Sequence, residues 1–423
     1  MGEREYVAKR PPMGWNSFDC YGVCVNEEQV KANAEFMAEN LKDYGWEYIV
    51  VDIEWYSYTS QPPRDGGGIY VPFGRIEVDE YARPLPCLKK FPSAAAGAGF
   101  GPLASHVHSL GLKFGIHMMR GIPRIAAHTH SKLWDTEITA DQIANPYSIC
   151  QWNPDMYGVD PSKPGAQEYY DSLIALFAEW GVDFIKCDDI CRMDAESSKD
   201  EIRMIHSAIE KCSRDIVLSL SPGPALAEEF DFYRENSEMW RVTDDFWDNW
   251  DQLREMFDVC RNWQGKASDA GFPDCDMLPV GLIGMGFGED RRTNFTINEE
   301  KTMLTLWSIV RSPLMIGSEL SKLDQETLEL LRNVQVMRLT EVSEGAREAY
   351  RDNDVIVWRS RDRYDGAEYV ALFNISTAST PICPKPFISK KEGVAIDLCR
   401  GVEINIRSTE DIPGHGCLLI RVE

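Results

Sequence analysis

Through roughly the first 320 residues, short apolar runs alternate with longer stretches whose apolar positions recur every three or four residues. That alternation is the signature of βα units feeding a parallel sheet. The apolar runs predict eight strands, at 12–18, 48–55, 113–119, 183–188, 217–221, 240–244, 265–270 and 313–317. Two helical stretches show how the pattern is built. Asn26 stands where a helix cap belongs, with Gln29 three residues on in capping-box position. Val30, Ala34, Met37 and Leu41 then line one face, and Gly45 stops the helix. Tyr169, Leu173, Leu176 and Trp180 repeat the scheme, followed by Gly181 and the next strand. Eight such units predict an α/β chain folded as a (β/α)₈ TIM barrel. A doubly wound sheet shares the local pattern, but no GxGxxG follows a strand here.

Two regions depart from the βα rhythm. The segment 121–165 is too long for an ordinary βα connection, and it carries Trp134, Trp152 and Asn153. On a barrel it would sit at the catalytic face, where it reads as a substrate-shaping loop. After residue 340 the helical period disappears, and 354–359, 368–374, 394–398 and 417–422 read as short strands between Gly, Pro and Asp turns. The expected organisation is a catalytic barrel over 1–335 and a C-terminal antiparallel β-sandwich domain over 341–423. That second module is free either to cap the barrel or to join a homo-oligomer interface.

Composition narrows the function. A net charge of −24 argues against a phosphate-backbone partner, so no nucleic acid is expected. No apolar run approaches the roughly 18 residues that cross a membrane, and none is expected to do so. The start, MGEREYVAKRPP, has charges without an apolar core, which predicts a cytoplasmic location. The twelve cysteines include Cys187 inside a predicted strand and Cys212 and Cys260 in helical patterns. They are expected to be reduced thiols; the CxxxC spacings Cys20/Cys24 and Cys187/Cys191 lack the histidines of a zinc site.

In a barrel, side chains at the C-terminal strand ends form the active site. Asp52 and Glu54, Asp188 and Asp189, Asp244 and Asp245, and Asp274 and Asp276 all lie there. Strand alternation puts Lys186 on the face of Asp188, where an ammonium would keep a nucleophilic carboxylate ionised. Arg241 precedes Asp245 by four residues. Two carboxylates from different strands suit acid/base and nucleophilic work on an acetal. A structural ion-pair network at the barrel rim fits the same residues equally well. Lys186 also admits a Schiff-base reading, as in an aldolase-type barrel.

The chain further resembles a known family. PPMGWNSF, YIVVDIEW, GLKFGIH, WGVDFIKCDD, WRVTDDFWDNW, GFPDCDML and LWSIVRSPLMIGSEL occur in the order seen in glycoside hydrolase family 27, the α-galactosidase and α-N-acetylgalactosaminidase family. The resemblance implies a retaining exo-glycosidase acting on terminal α-galactosyl-type residues of a carbohydrate substrate by double displacement. Asp188, in the Lys-x-Asp strand end, would be the nucleophile. Asp245, in the Arg-x-x-x-Asp pattern, would be the general acid/base. No metal or organic cofactor is implied.

The resemblance also carries Trp15, Asp52 and Asp276, with Met277 beside it, to sugar binding, and Lys186 and Arg241 to the site that holds the catalytic pair. Other positions depart from it. A second aspartate usual after Asp52 is Ile53, a usual tryptophan is Phe18, and an expected tyrosine is His117. The Cys-Glu-Trp-type segment that reads the sugar's 2-substituent is Ser221-Pro222-Gly223-Pro224. Glu54 either supplies the missing acceptor, because it shares the Asp52 face by alternation, or pairs with an arginine at the rim. His117 either bonds a sugar hydroxyl or packs in the barrel top. Trp247 and Trp250 divide between sugar platform and loop packing. These departures open other glycones to the same mechanism: α-N-acetylgalactosamine, β-L-arabinopyranose or an isomaltose-type glucoside. A non-catalytic sugar-binding barrel is the remaining alternative.

Overall fold

The computed structural model describes residues 7–58, 75–267, 269, 271–390 and 393–423. Within them, eight parallel strands form the inner sheet. These are β1 (Met13–Asn16), β2 (Tyr48–Val51), β3 (Lys113–Met119), β4 (Phe184–Asp188), β5 (Val217–Leu220), β6 (Met239–Arg241), β7 (Phe272–Asp274) and β8 (Leu314–Ile316). Their lateral order is β7-β6-β5-β4-β3-β2-β1-β8. The chain just past β7 closes the ring, because Leu278 bridges to Ile316 in parallel. The Leu278 amide donates to the Met315 carbonyl at 2.7 Å, and the Gly317 amide to the Leu278 carbonyl at 3.0 Å.

A helix follows each strand: α1 (Glu27–Asn40), α2 (Gly101–Ser109), α3 (Ala166–Glu179), α4 (Ser198–Lys211), α5 (Phe230–Asn236), α6 (Trp250–Trp263), α7 (Ile297–Ile309) and α8 (Gln325–Leu331). The capping box of α1 forms: the Gln29 amide donates to Asn26 Oδ1 at 3.1 Å, and the Asn26 amide to Gln29 Oε1 at 3.0 Å. Side chains fill the barrel interior, with Tyr48, Val50, Phe184, Val217, Met239, Phe272 and Met315 in one cluster. Gly14 is required by that closeness. A Cβ there would lie 2.4 Å from the Tyr48 carbonyl oxygen of the neighbouring strand.

One strand lies elsewhere than its apolar run suggested. In the expected 265–270 stretch, Gly265 is in a turn after α6 and Ala267 is irregular, while Ser268 and Ala270 lie outside the described residues. The strand is Phe272–Asp274, paired in register Phe272↔Met239. Pro273 disguised it, since proline normally argues against a central strand. It is tolerated because β7 pairs along its length with β6 alone. Three other strands end two or more residues earlier than expected, β1 at Asn16, β2 at Val51 and β6 at Arg241. Their site residues therefore sit on the loops just beyond the sheet.

The insertion after β3 is ordered by a small antiparallel sheet of Ile122–Pro123, Met156–Val159 and Ala144–Asn145. Beyond residue 342 the chain is antiparallel: β9 (Ser343–Arg351), β10 (Val355–Asp362), β11 (Glu368–Asn374), β12 (Thr380–Ile382), β13 (Ala395–Asp397), β14 (Val402–Glu403), β15 (Glu410–Ile412) and β16 (Cys417–Val422). Six of them form one sheet, ordered β9-β10-β11-β16-β13-β14, and β12 pairs with β15. Strand alternation gives the large sheet two apolar faces. Ile356, Trp358, Tyr369, Ala371, Phe373 and Leu419 join the barrel's core, whereas Val357, Val370, Leu372 and Ile420 pack with Ile382 and Ile412 of the smaller pair. Strand β9 escaped the sequence reading because Ser-Glu-Gly-Ala-Arg-Glu-Ala-Tyr-Arg is polar and its pairing is bulged twice, which erases any period of two. All twelve cysteines are free thiols. Among the described residues, no helix is long and apolar enough to cross a membrane.

Candidate active site

The strand ends and the loops that follow them enclose a pocket of about 210 Å³, lined among others by Asp19, Asp52, Ile53, Trp152, Lys186, Asp188, Arg192, Pro222, Arg241, Asp245, Trp247, Asp276 and Met277. Three ion pairs organise its polar floor. Asp52 is gripped from all sides: its Oδ2 accepts from Lys186 Nζ at 2.8 Å and Asn16 Nδ2 at 2.7 Å, and its Oδ1 from the Ile53 amide at 2.8 Å. Burial alone would raise the Asp52 pKa, but the Lys186 ammonium and these bonds bring it below the ordinary value. Across the pocket, Arg241 donates to Asp276 Oδ1 at 2.8 Å and to the Asp245 carboxylate. The Phe246 amide donates to the other oxygen of Asp276 at 2.8 Å, locking that carboxylate in place.

The two candidate catalytic carboxyls meet opposite environments. Asp188 ends β4, with its side chain 13% exposed. Its Oδ2 faces His117 Nε2 at 2.9 Å, and its Oδ1 accepts from the Asp189 amide at 2.8 Å. Burial pushes its pKa up, yet the His117 bond and charge, the Lys186 charge and the Asp189 amide together hold it well below the carboxylate range. Asp245 is the contrary case. Its side chain is 64% exposed, but enclosure by the pocket walls raises its pKa, Asp276 and Asp188 add to the rise, and Arg241 opposes it. The two carboxyls are thus shifted in opposite directions, Asp188 down and Asp245 up, the sense of difference that acetal chemistry needs.

Of the residues expected here from sequence, Asp52, Lys186, Asp188, Arg241, Asp245 and Asp276 line the pocket together, and three do not. Trp15 is fully buried in the middle of β1, where its indole N–H donates to the Ser318 carbonyl at 2.7 Å. The side-chain direction of a central strand residue sends it into packing rather than to the strand's end. Glu54 also lies off the pocket. The alternation that would have aimed it beside Asp52 stops with β2 at Val51, and Glu54 turns away with φ at 66°. It accepts from Asn153 Nδ2 at 3.3 Å and faces Asp155 of the insertion. Burial and the Glu54 carboxylate push the Asp155 carboxyl up to about 8, and Glu54 does not line the pocket. His117 is completely buried behind Asp188, touching the carboxylate instead of the pocket.

Asp19 and Arg192 complete the pocket without having been singled out for it, and Pro222 lines it from the Ser221–Pro224 segment. Asp19 follows Phe18 at the exit of β1, so its position was the available signal. Its pKa is raised by burial first and then by Asp276. Arg192 and Pro222 belong to loops whose path no local period encodes. Trp247 lines the pocket, whereas Trp250 stacks on His415 at 3.7 Å and packs barrel against β sheet. Among the described residues, no group of three or more His, Cys, Asp or Glu is arranged to hold a metal ion.

This arrangement was compared with known proteins. A family model described as alpha galactosidase A matches residues 157–341. The crystal structure of a family 27 β-L-arabinopyranosidase from Geobacillus stearothermophilus, in complex with arabinose, is 47% identical with a TM-score of 0.93, covering 99% of this chain and 98% of that one. The chain belongs to glycoside hydrolase family 27. An α-galactosidase of Oryza sativa subsp. japonica is 26% identical over 359 residues, which are 83% of this chain and 69% of the rice protein. The α-galactosidase I of Mortierella vinacea, at 21% identity and a TM-score of 0.71, shares the fold. The chain is accordingly a glycoside hydrolase with a carbohydrate substrate.

Proposed function

We propose that this hydrolase removes terminal β-L-arabinopyranosyl residues with retention of configuration. Asp188 attacks the anomeric carbon as the bond to the leaving oxygen breaks, and Asp245 delivers its proton to that oxygen. Asp245, now a carboxylate, then takes a proton from water, which attacks the glycosyl–Asp188 ester and returns the nucleophile. The opposed pKa directions of the two carboxyls support these roles.

Ile53 carries the choice of sugar. A β-L-arabinopyranose ring has the configuration of an α-D-galactopyranose and lacks only the exocyclic CH₂OH. Galactose-specific pockets of the family usually place a second aspartate after the first, where it accepts from the sugar's hydroxyls. Here that position is a buried isoleucine, 1% exposed, in the pocket wall. An isoleucine offers no acceptor and fills space, so it suits a ring without the extra hydroxymethyl group. The β-L-arabinopyranosidase similar to this chain supports the same reading. At the 2-position side, Pro222 presents an apolar wall where the family's usual segment reads a substituent.

The test is a panel of nitrophenyl glycosides with Asp188→Asn alongside. Release of nitrophenol from the β-L-arabinopyranoside in preference to the α-D-galactoside, lost in Asp188→Asn, is expected. Preference for the α-D-galactoside would refute the assignment of the glycone while leaving the chemistry. Equal activity in Asp188→Asn would refute the nucleophile.

A further inference from the structure

A second hollow of about 380 Å³ adjoins the pocket, and Trp152 and Arg192 line both. It lies between the insertion after β3, which contributes Asn145, Tyr147 and Gln151, and the loop after β4, which contributes Asp189, Asp194 and Glu196. Tyr147 on its rim is 96% exposed, the most exposed of the large hydrophobic side chains among the described residues. The turn beneath that ring is anchored, although the ring is not. The Tyr147 amide donates to Asn145 Oδ1 at 3.0 Å, the Gly158 amide to the Ser148 carbonyl at 2.6 Å, and Arg120 to Ser148 Oγ at 3.0 Å. A fixed backbone therefore presents a bare aromatic face beside the catalytic pocket.

We infer that this hollow is an aglycone subsite for a neutral, hydroxyl-rich sugar, with Tyr147 as its stacking platform. The inference rests on the glycosidase reading of the Asp188–Asp245 pocket. The chemistry of the lining selects the ligand class. Its carboxylates Asp189, Asp194 and Glu196 outnumber Arg120 and Arg192, and Arg120 is already committed to Asp189 at 2.9 Å and Glu201 at 3.2 Å. An acidic aglycone would meet net negative charge. A small apolar one would leave the polar wall without partners. Arg192 lines the hollow in two loose ion pairs, 3.9 Å from Asp194 and 3.7 Å from Asp244, so among the described residues its N–H donors are not held at hydrogen-bond distance by either carboxylate. With the Gln151 and Asn145 amides they offer the mixed donors and acceptors that sugar hydroxyls pair with. The apolar C–H face of a pyranose fits the Tyr147 ring, whose amphipathic character suits a wet rim. Because Trp152 and Arg192 line both cavities, a leaving sugar in this hollow would lie next to a glycone in the pocket.

The test compares kcat/KM for a nitrophenyl glycoside with that for an unsubstituted disaccharide carrying the same terminal sugar, in wild type, Tyr147→Ala and Tyr147→Phe. The ratio of disaccharide to nitrophenyl values should fall about tenfold in Tyr147→Ala and hold in Tyr147→Phe, which keeps the ring. An unchanged ratio in Tyr147→Ala, with both substrates still cleaved, would overturn the subsite and leave the glycosidase reading intact. An equal fall in Tyr147→Phe would overturn stacking as its basis. Absence of turnover on both substrates in the wild type would sink the glycosidase reading and this inference with it.

Discussion

Replacing His117 with phenylalanine isolates the contact that the structure puts behind Asp188, the proposed nucleophile. His117 is fully buried, and its Nε2 lies 2.9 Å from Asp188 Oδ2. Its Nδ1 has no hydrogen-bond partner, so the substitution leaves no other group newly unpaired. Asp188 would retain the Asp189 amide at 2.8 Å and the charge of Lys186, but lose the strongest of the influences that lower its pKa. A hydrogen bond to a charged acceptor is worth about 1.5–3 kcal/mol. At about 1.4 kcal/mol per tenfold change in proton affinity, that loss moves the acid limb of kcat/KM toward neutrality by roughly one to two pH units. The sign follows from the role. Asp188 acts as the anion, so weakening what favours the anion makes activity disappear at a higher pH on acidification. The same contact stabilises the fold above the unfolded carboxylate's pKa and ceases to do so as pH falls through the depressed native value, so the variant should also be less stable at neutral pH. The assay is the pH dependence of nitrophenyl glycoside kcat/KM, with His117→Tyr as a control that restores a donor. A uniform drop in rate with an unmoved acid limb would show that His117 only packs, and the reasoning would fail.

Two other substitutions test the pocket. Ile53→Asp adds an acceptor at the site of the missing hydroxymethyl group. It should raise the ratio of α-D-galactoside to β-L-arabinopyranoside kcat/KM by about tenfold to a hundredfold, the range of one charge-assisted hydrogen bond; a flat ratio across the nitrophenyl pair would contradict the role given to Ile53. Lys186→Met leaves Asp52 buried without its ammonium, and breaking such a pair typically costs about 3–5 kcal/mol. Urea unfolding should show a destabilisation of that order together with a large rise in KM, and a variant as stable as wild type would mean that Asn16 and the Ile53 amide suffice to hold Asp52.

The pattern of apolar positions was informative wherever structure is local. The βα rhythm, the Asn26–Gln29 capping box and the strand ends leading to Asp52 and Asp188 could all be read from the chain, because a helix face or a strand's alternation is written in neighbouring residues. Motif resemblance added the acid/base role of Asp245, whose place four residues after Arg241 was already legible. Reading failed where the rule was extended past its element. Alternation assigned Glu54 to the pocket, although β2 had already ended at Val51. An apolar run suggested a strand at 265–270, whereas Pro273 concealed the real one in β7.

What the sequence by itself determined is therefore the class of fold and the supply of acidic and basic side chains at one end of a barrel. Which of them touch was decided by tertiary structure. Lys186 was expected to favour the Asp188 anion, and its charge does so, but its hydrogen bond goes to Asp52, while His117 bonds Asp188. These partnerships depend on the register between strands, such as His117 beside Lys186 and Met119 beside Asp188. They depend equally on loops returning from far along the chain, which bring Trp152 and Arg192 to one pocket. Register and loop return are set by the closure of the whole barrel, and no window of neighbouring residues contains that information.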